Sequence, residues 1–259
     1  MRSDKQDIPT GMNEPDFLVE SIPNIVHGES LVPPRPQNPW LAPVVPLILS
    51  ITAGLLCFWT AGMSLGLFLG GFVLVGLLTA PLIAPEQTWL GRALVIAAIV
   101  HGIAGIWLFA MLRSNEGLGP WAACYLALAA WSIALGALTV LLRQVLRIGR
   151  VGSGAIVSLL ALAWLTWPIW LSPALHGESG NRIVAWLVPA HPIFAMNTVL
   201  RERFGVWAEQ GIAYNLTNLG DDITYSLPVN ILRCVLIHAG IGMACVGITL
   251  LLYRRKRSE

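Results

Sequence analysis

Very few residues that could carry out chemistry lie within the long apolar stretches of this chain. The exceptions are two histidines, His101 and His238, and one arginine, Arg233. Histidines on two helices can ligate the iron of a b-type haem through their ring nitrogens. One alternative interpretation is therefore that the two histidines form the haem or quinone site of an electron-transfer subunit. A neutral histidine bonded to a nearby carbonyl is the more common case.

Patterns typical of metal and nucleotide sites are missing from the sequence. It contains no HExxH signature and no glycine-rich phosphate loop ending in lysine. The four cysteines lie in apolar stretches without CxxC spacing, which indicates packing residues rather than a zinc site or a disulfide framework. Apart from the two histidines, we predict no metal or cofactor in this chain, no enzyme activity and no nucleic-acid partner.

The composition indicates an integral membrane protein in contact with lipid. Of 259 residues, 56% are hydrophobic and only 12% are charged, and the mean hydropathy is +0.69. A soluble globular protein carries about 25% charged residues. The long apolar stretches hold no Asp or Glu at all, which argues against a secondary transporter coupled to protons or cations.

The spacing of charges predicts an all-α polytopic membrane protein with six transmembrane helices. No charged residue lies between Arg35 and Glu86, a stretch more than twice the roughly 20 residues that cross a bilayer as a helix. It therefore folds as two spans. The six predicted spans are residues 40–59, 63–83, 91–112, 120–142, 153–171 and 229–253. They form a transmembrane domain, 40–257, with an outer loop at 172–228, after an acidic, proline-rich N-terminal arm, 1–39.

Lysine and arginine positions predict the orientation of these spans. With a cytoplasmic N-terminus, eleven of the sixteen Lys and Arg residues fall on the cytoplasmic side, as the positive-inside rule requires. Both termini are then cytoplasmic. The arm is interpreted as cytoplasmic too.

The segment 168–205 is apolar but broken by prolines. This pattern predicts two short helices that enter the outer leaflet and return, with residues 183–200 in or on that leaflet without crossing it. A single amphipathic helix lying on the surface is the alternative.

This segment resembles one in the membrane subunits of type-2 ABC exporters, the ABC-2 permease family. The resemblance rests on six spans with both termini inside, on Pro168-Ile169-Trp170-Leu171, on His191-Pro192-Ile193-Phe194, and on Arg201. The N-terminal arm and the short segment 84–92 differ from the family, which has a basic elbow helix and a longer coupling segment. The residues assigned to the outer hairpin are Pro168, Trp170, Pro189, His191, Pro192, Phe194 and Arg201.

The resemblance implies a permease subunit of the bacterial cytoplasmic (inner) membrane. A separate subunit would bind ATP, this chain would be catalytically silent, and two permease chains would pair as a homodimer or heterodimer within the lipid. The residues expected to contact the ATPase are Glu86, Trp89, Arg92, Arg143, Arg147 and Arg150. A scaffold or assembly subunit of a larger membrane complex remains the main alternative, because the spans are uncharged and the cytoplasmic loops are short.

Overall fold

A computed structural model describes residues 41–61, 65–113, 117–204, 226 and 228–258 of the chain. The predicted N-terminal arm, 1–39, lies outside the described residues, as does most of the second half of the predicted outer loop. Arg201 lies within a described helix, but its side chain is outside the described part.

The described chain is helical, as predicted for this class of membrane protein. A short 3₁₀ turn, Ser172–Ala174, follows the fifth helix. The helices are α1 Val44–Ala61, α2 Leu65–Ile83, α3 Trp89–Arg113, α4 Leu118–Leu146, α5 Arg150–Trp170, α6 Gly177–Ala190, α7 Pro192–Phe204 and α8 Leu232–Ser258.

Five of these helices are long and apolar enough to cross a membrane: α2, α3, α4, α5 and α8. They coincide with five of the six predicted spans. The bent pair α6–α7 brings the number to six if it counts as one span, whereas α1, with its apolar part Val44–Thr60, is shorter. The coarse prediction of a polytopic helical protein is therefore confirmed. The prediction that residues 40–59, which contain α1, form a further span stays a prediction.

α1 begins four residues later than predicted because Pro43 and Pro46 flank its start. It runs parallel to α3, since Ser50 lies beside Gly102 and Gly54 beside Ile106. By this register Val44 is level with residue 96, about seven residues or roughly 10 Å inside the start of α3. A late start therefore makes α1 the shortest of the apolar helices.

The core lies where α2, α3, α4 and α5 meet, around the fully buried Phe72, Trp107 and Leu128. Close approach of α2 and α3 depends on Gly71, where an added Cβ would collide with the indole of Trp107. The large buried rings fill the space that this glycine leaves.

The helix order gives the bundle two chemically different ends. α8 runs parallel to α4, because His238 contacts Trp131 and Gly242 lies beside Ile133. The carboxyl ends of α4 and α8 and the amino ends of α3 and α5 therefore lie together. We call this the basic end, since it carries Arg92, Arg143, Arg147, Arg150, Arg254 and Arg255. The opposite end holds α6 and α7 and is called the hairpin end.

Candidate functional site

The most unusual element of the fold is the bent pair of helices at the hairpin end. α6 and α7 meet at His191 with an angle of 72° between them. Pro192 is the first residue of α7, a position that proline favours, and it disfavours a helical conformation for the residue before it. His191 is accordingly extended, with φ −83° and ψ 121°. The break between the helices is thus encoded by the His-Pro step.

His191 also satisfies the backbone groups that the break exposes. Its Nε2 donates to the carbonyl oxygen of Leu165 at 3.2 Å, and its Nδ1 accepts the backbone N–H of Phe194 at 3.4 Å. The second contact is an N-terminal cap for α7, made by an imidazole in place of the usual hydroxyl or carboxylate. Only a neutral ring can donate from one nitrogen and accept at the other.

Burial keeps this imidazole neutral. His191 lies at the bend, outside the five candidate spans, and is 1% exposed. Desolvation lowers its pKa to about 3, against the hydrogen bonds to Leu165 and Trp164, which act to raise it. The rings of Trp164, Trp167 and Phe194 surround it with centroids 5.0 to 6.0 Å away. His191 is therefore a structural part of the bend and does not titrate near neutral pH.

The pair packs onto the protein through both of its helices. Met196 and Leu200 of α7 join the main core against α4, while Val184 and Val188 of α6 form a second buried cluster. The opposite face of α6 is open, and Trp186 is 82% exposed there. Both helices of the pair therefore contact the rest of the protein, and the placement of the pair in or on the outer leaflet stays a prediction.

Both ends of the pair lie at the hairpin end. α6 follows α5 after the short turn Ser172–Ala174. Thr198 of α7 donates from Oγ1 to the carbonyl oxygen of Pro228, shortly before α8, at 2.9 Å. The Sγ of Cys234, near the start of α8, lies 3.7 Å from the carbonyl oxygen of Ala190. The chain thus leaves α5, bends at His191 and returns to where α8 begins.

The predicted hairpin residues are brought together in part. Pro168, His191, Pro192 and Phe194 are buried at the junction, and Pro189 is half-buried. Trp170 points outwards and donates from Nε1 to the carbonyl oxygen of Ala163 at 3.0 Å.

The predicted ATPase-contact residues all lie at the basic end. Arg92 donates from Nε to the carbonyl oxygen of Glu86 at 3.0 Å, and its guanidinium lies 5.2 Å from the centre of the Trp89 ring. Arg143 donates from Nη1 to the carbonyl oxygen of Ala84 at 3.0 Å.

The remaining two residues of this set flank the turn between α4 and α5. Arg147 follows α4 in the left-handed conformation, with φ 53°, and Arg150 begins α5. Both are exposed. The structure therefore gathers the six residues on one surface, and their role in contacting a partner stays a prediction.

The two candidate haem ligands have separate surroundings. The Nδ1 of His101 lies 2.7 Å from the carbonyl oxygen of Ala97, and its Nε2 lies 3.2 Å from the hydroxyl of Tyr125. His238 bonds the carbonyl oxygen of Cys234 through Nδ1 and packs edge-on against Trp131. His101 would have to give up a bond to ligate iron. Among the described residues, no three His, Cys, Asp or Glu side chains are grouped as a metal site.

No protein-family model matches the chain, and no curated protein or solved structure matches it either.

Three further residues line these sites without having been predicted from the sequence: Tyr125, Gln87 and Gln144. Tyr125 is 24 positions from His101 along the chain, and the glutamines line a pocket at the basic end. Gln87 and Gln144 directly follow Glu86 and Arg143 in the sequence, which is a signal that could have indicated them, whereas Tyr125 has no such signal.

Proposed function

We propose that this chain is the membrane-embedded permease subunit of an ABC-2-type exporter, driven by a separate ATP-binding subunit. In this proposal the chain is not an enzyme and holds no cofactor, because ATP is bound and hydrolysed by the partner. A second permease chain, identical or related, completes the transport path within the lipid.

The bent pair α6–α7 is the observation that carries the proposal. His191 contacts Leu165, which is five residues, or about 8 Å, before the end of α5. The bend therefore lies about 8 Å from the end of α5 towards the middle of the bundle. The chain then turns back towards Pro228. A helical break at membrane depth is tolerated where its backbone groups are satisfied and buried in protein, and His191 meets both conditions. This geometry suits a hairpin that enters the outer leaflet and returns.

The distribution of arginines supports the orientation that an exporter subunit needs. The positive-inside rule assigns the basic end to the cytoplasm, so both termini are cytoplasmic and the hairpin end faces outwards. In a bacterial cell this corresponds to the cytoplasmic membrane. The exposed Arg147, in the turn between α4 and α5, would then face an ATPase.

The test is purification of the tagged full-length chain from its native host in a mild detergent, followed by measurement of ATP hydrolysis. We expect an ATPase subunit in fixed ratio to this chain, and we expect Arg147→Glu to remove it. The matched control is Arg182→Glu at the hairpin end, where the side chain is also exposed, and it should leave the ATPase bound.

The result that contradicts the exporter is a purified chain without associated ATP hydrolysis in any of these samples. A stable complex with other membrane subunits but without an ATPase would favour the scaffold alternative. A visible absorption spectrum of the same sample tests the haem alternative, because a colourless protein does not contain haem.

A further inference from the structure

An apolar cleft of about 360 Å³ lies where α3 and α4 meet. It reaches the surface of the bundle, since Ala93, His101 and Ile133 in its wall are exposed. Small side chains on both helices keep it open: Ala93, Ala97, Ala129, Gly136 and Ala137. Ligand sites have volumes of roughly 300–1,000 Å³, so the cleft is large enough to hold a flexible apolar chain.

The cleft runs from the basic end towards the middle of the bundle. Trp89 and Arg92 line it near the start of α3, and the bonded pair of His101 and Tyr125 lines it farther along. Nine residues separate Arg92 from His101 on α3, which corresponds to about 14 Å along the helix. The cleft is therefore long and narrow rather than round.

A second, polar pocket of about 420 Å³ adjoins the cleft at the basic end. The two spaces share Arg92 and Val140 in their walls. Besides these residues, the pocket is lined by Gln87, Arg143, Gln144 and Arg150. An apolar groove thus ends in a pocket built from three guanidinium groups and two carboxamides.

Among the described residues, no Asp or Glu lines this pocket beside its three arginines. Arg92 and Arg143 lie close enough to repel each other, and the charge of Glu86 attracts Arg92. No carboxylate among the described residues forms a salt bridge with Arg92, Arg143 or Arg150. Backbone carbonyls hold one N–H of Arg92 and one of Arg143 in place, so the other N–H groups of these fixed arginines remain as donors for an anion.

We propose that the cleft and the pocket together bind one anionic lipid. Its phosphate is bound by Arg92, Arg143 and Arg150, and one acyl chain lies along the cleft towards His101. The polar pocket lies at the depth of headgroups and the cleft at the depth of acyl chains, because the exposed Trp89, where the cleft begins at the start of α3, has the position typical of a tryptophan at the membrane interface.

Charge complementarity selects this occupant over a neutral lipid or a partner helix. A zwitterionic headgroup would bring its own cation to a pocket with three arginines, and an apolar helix would leave the arginines without an anion. The site does not depend on the exporter proposal, because a bound lipid of this kind serves any protein of the same fold.

The test is native mass spectrometry of the full-length chain in detergent, titrated with three ligands. These are phosphatidylglycerol, phosphatidylcholine with the same acyl chains, and glycerol 3-phosphate, which has the anion without the chains. We expect one phosphatidylglycerol to bind at least about tenfold more tightly than either of the other two, as a charged site bonded to phosphate predicts.

Two pairs of matched variants locate the binding. Arg150→Gln should weaken phosphatidylglycerol binding by about threefold to fivefold, whereas Arg147→Gln, three residues away and outside the pocket, should not. Ala93→Leu fills the cleft and should weaken it about tenfold, whereas Ala122→Leu, an exposed alanine of α4 outside the cleft, should not. All four positions are exposed, so the variants are expected to fold, and gel filtration confirms this.

Three results would overturn the proposal. Equal binding of phosphatidylcholine would exclude recognition of the anion. Glycerol 3-phosphate binding as tightly as phosphatidylglycerol would identify a site for a free phosphate ester, without a role for the cleft. The same affinity in Arg150→Gln and Arg147→Gln, or in Ala93→Leu and Ala122→Leu, would place the lipid elsewhere.

Discussion

The Nε2 of His191 donates a hydrogen bond to the main-chain oxygen of Leu165, 3.2 Å away, and so ties the bend between α6 and α7 to α5. Leu165 lies in the last turns of α5 and follows Trp164, whose carbonyl has no helical partner because Pro168 has no N–H. The same imidazole accepts the N–H of Phe194. One neutral side chain thus links three helices at the hairpin end.

Acidification should loosen this link. Burial lowers the pKa of His191 to about 3 in the folded protein, whereas an unfolded histidine titrates near 6.5. The stability that depends on the neutral ring is therefore fully present above about pH 6.5 and is lost as the pH falls towards 3. Between pH 7.5 and pH 5, linkage predicts a loss of about 2 kcal/mol, measurable as a lower Tm in detergent.

The control variants separate this effect from general acid sensitivity. His191→Gln should have a lower Tm at pH 7.5 than the unmodified protein but a smaller further loss at pH 5. His176→Gln, at the exposed histidine before α6, should retain the full pH response. His238 also acts on His191 electrostatically, so a pH response that persists unchanged in His191→Gln would assign the effect to another group.

The sequence predicted the helices better than their contacts. Five spans were recognisable because each is a long apolar run between charges, and the prolines at 189 and 192 marked the bend. The cleft could not be predicted, since Ala93, Ala97 and Ala129 do not differ in type from alanines that pack against a neighbour.

The same limit applies to the polar contacts. The bond of His191 to Leu165, the bond of His101 to Tyr125 and the bond of Arg143 to Ala84 each join residues at least 24 positions apart along the chain. Such pairings depend on the register between helices, which a hydropathy pattern does not specify. For this reason His101 and His238 looked like a pair in the sequence, but they have different neighbours in the fold.

Substitution of Gly71 should destabilise the bundle. A Cβ at this position would collide with the Trp107 indole, which is buried among Phe68 and Phe72 and has no room to move. We expect Gly71→Ala to lower the free energy of unfolding by about 1–3 kcal/mol, as overpacking does. Gly105→Ala is the control, because its Cβ meets nothing within 4 Å and alanine is the better helix former. Equal Tm values for the two variants would show that α2 and α3 do not approach as closely as described.

Arg143 should stabilise the turn between α2 and α3. Its Nη1 caps the carbonyl oxygen of Ala84, which lies just beyond the last residue of α2 and has no helical partner. Ala84 is buried, so Arg143→Gln should cost about 1–3 kcal/mol by leaving this oxygen unsatisfied. Arg147→Gln is the comparison, because it removes the same charge at an exposed position. A Tm for Arg143→Gln as high as that of Arg147→Gln would contradict the capping role.

The path of the chain through the hairpin end can be tested by labelling in intact cells. With the four native cysteines replaced by alanine, single cysteines are introduced as Arg182→Cys in α6 and Val229→Cys before α8, two exposed positions on either side of the bend at His191. Because the pair returns to the end at which it started, a membrane-impermeant maleimide should label both from outside. Arg147→Cys at the basic end should react only after permeabilisation, as the positive-inside rule predicts. If α6 and α7 together formed one crossing, Arg182→Cys and Val229→Cys would react from opposite sides. This result would contradict the hairpin on which the exporter proposal rests.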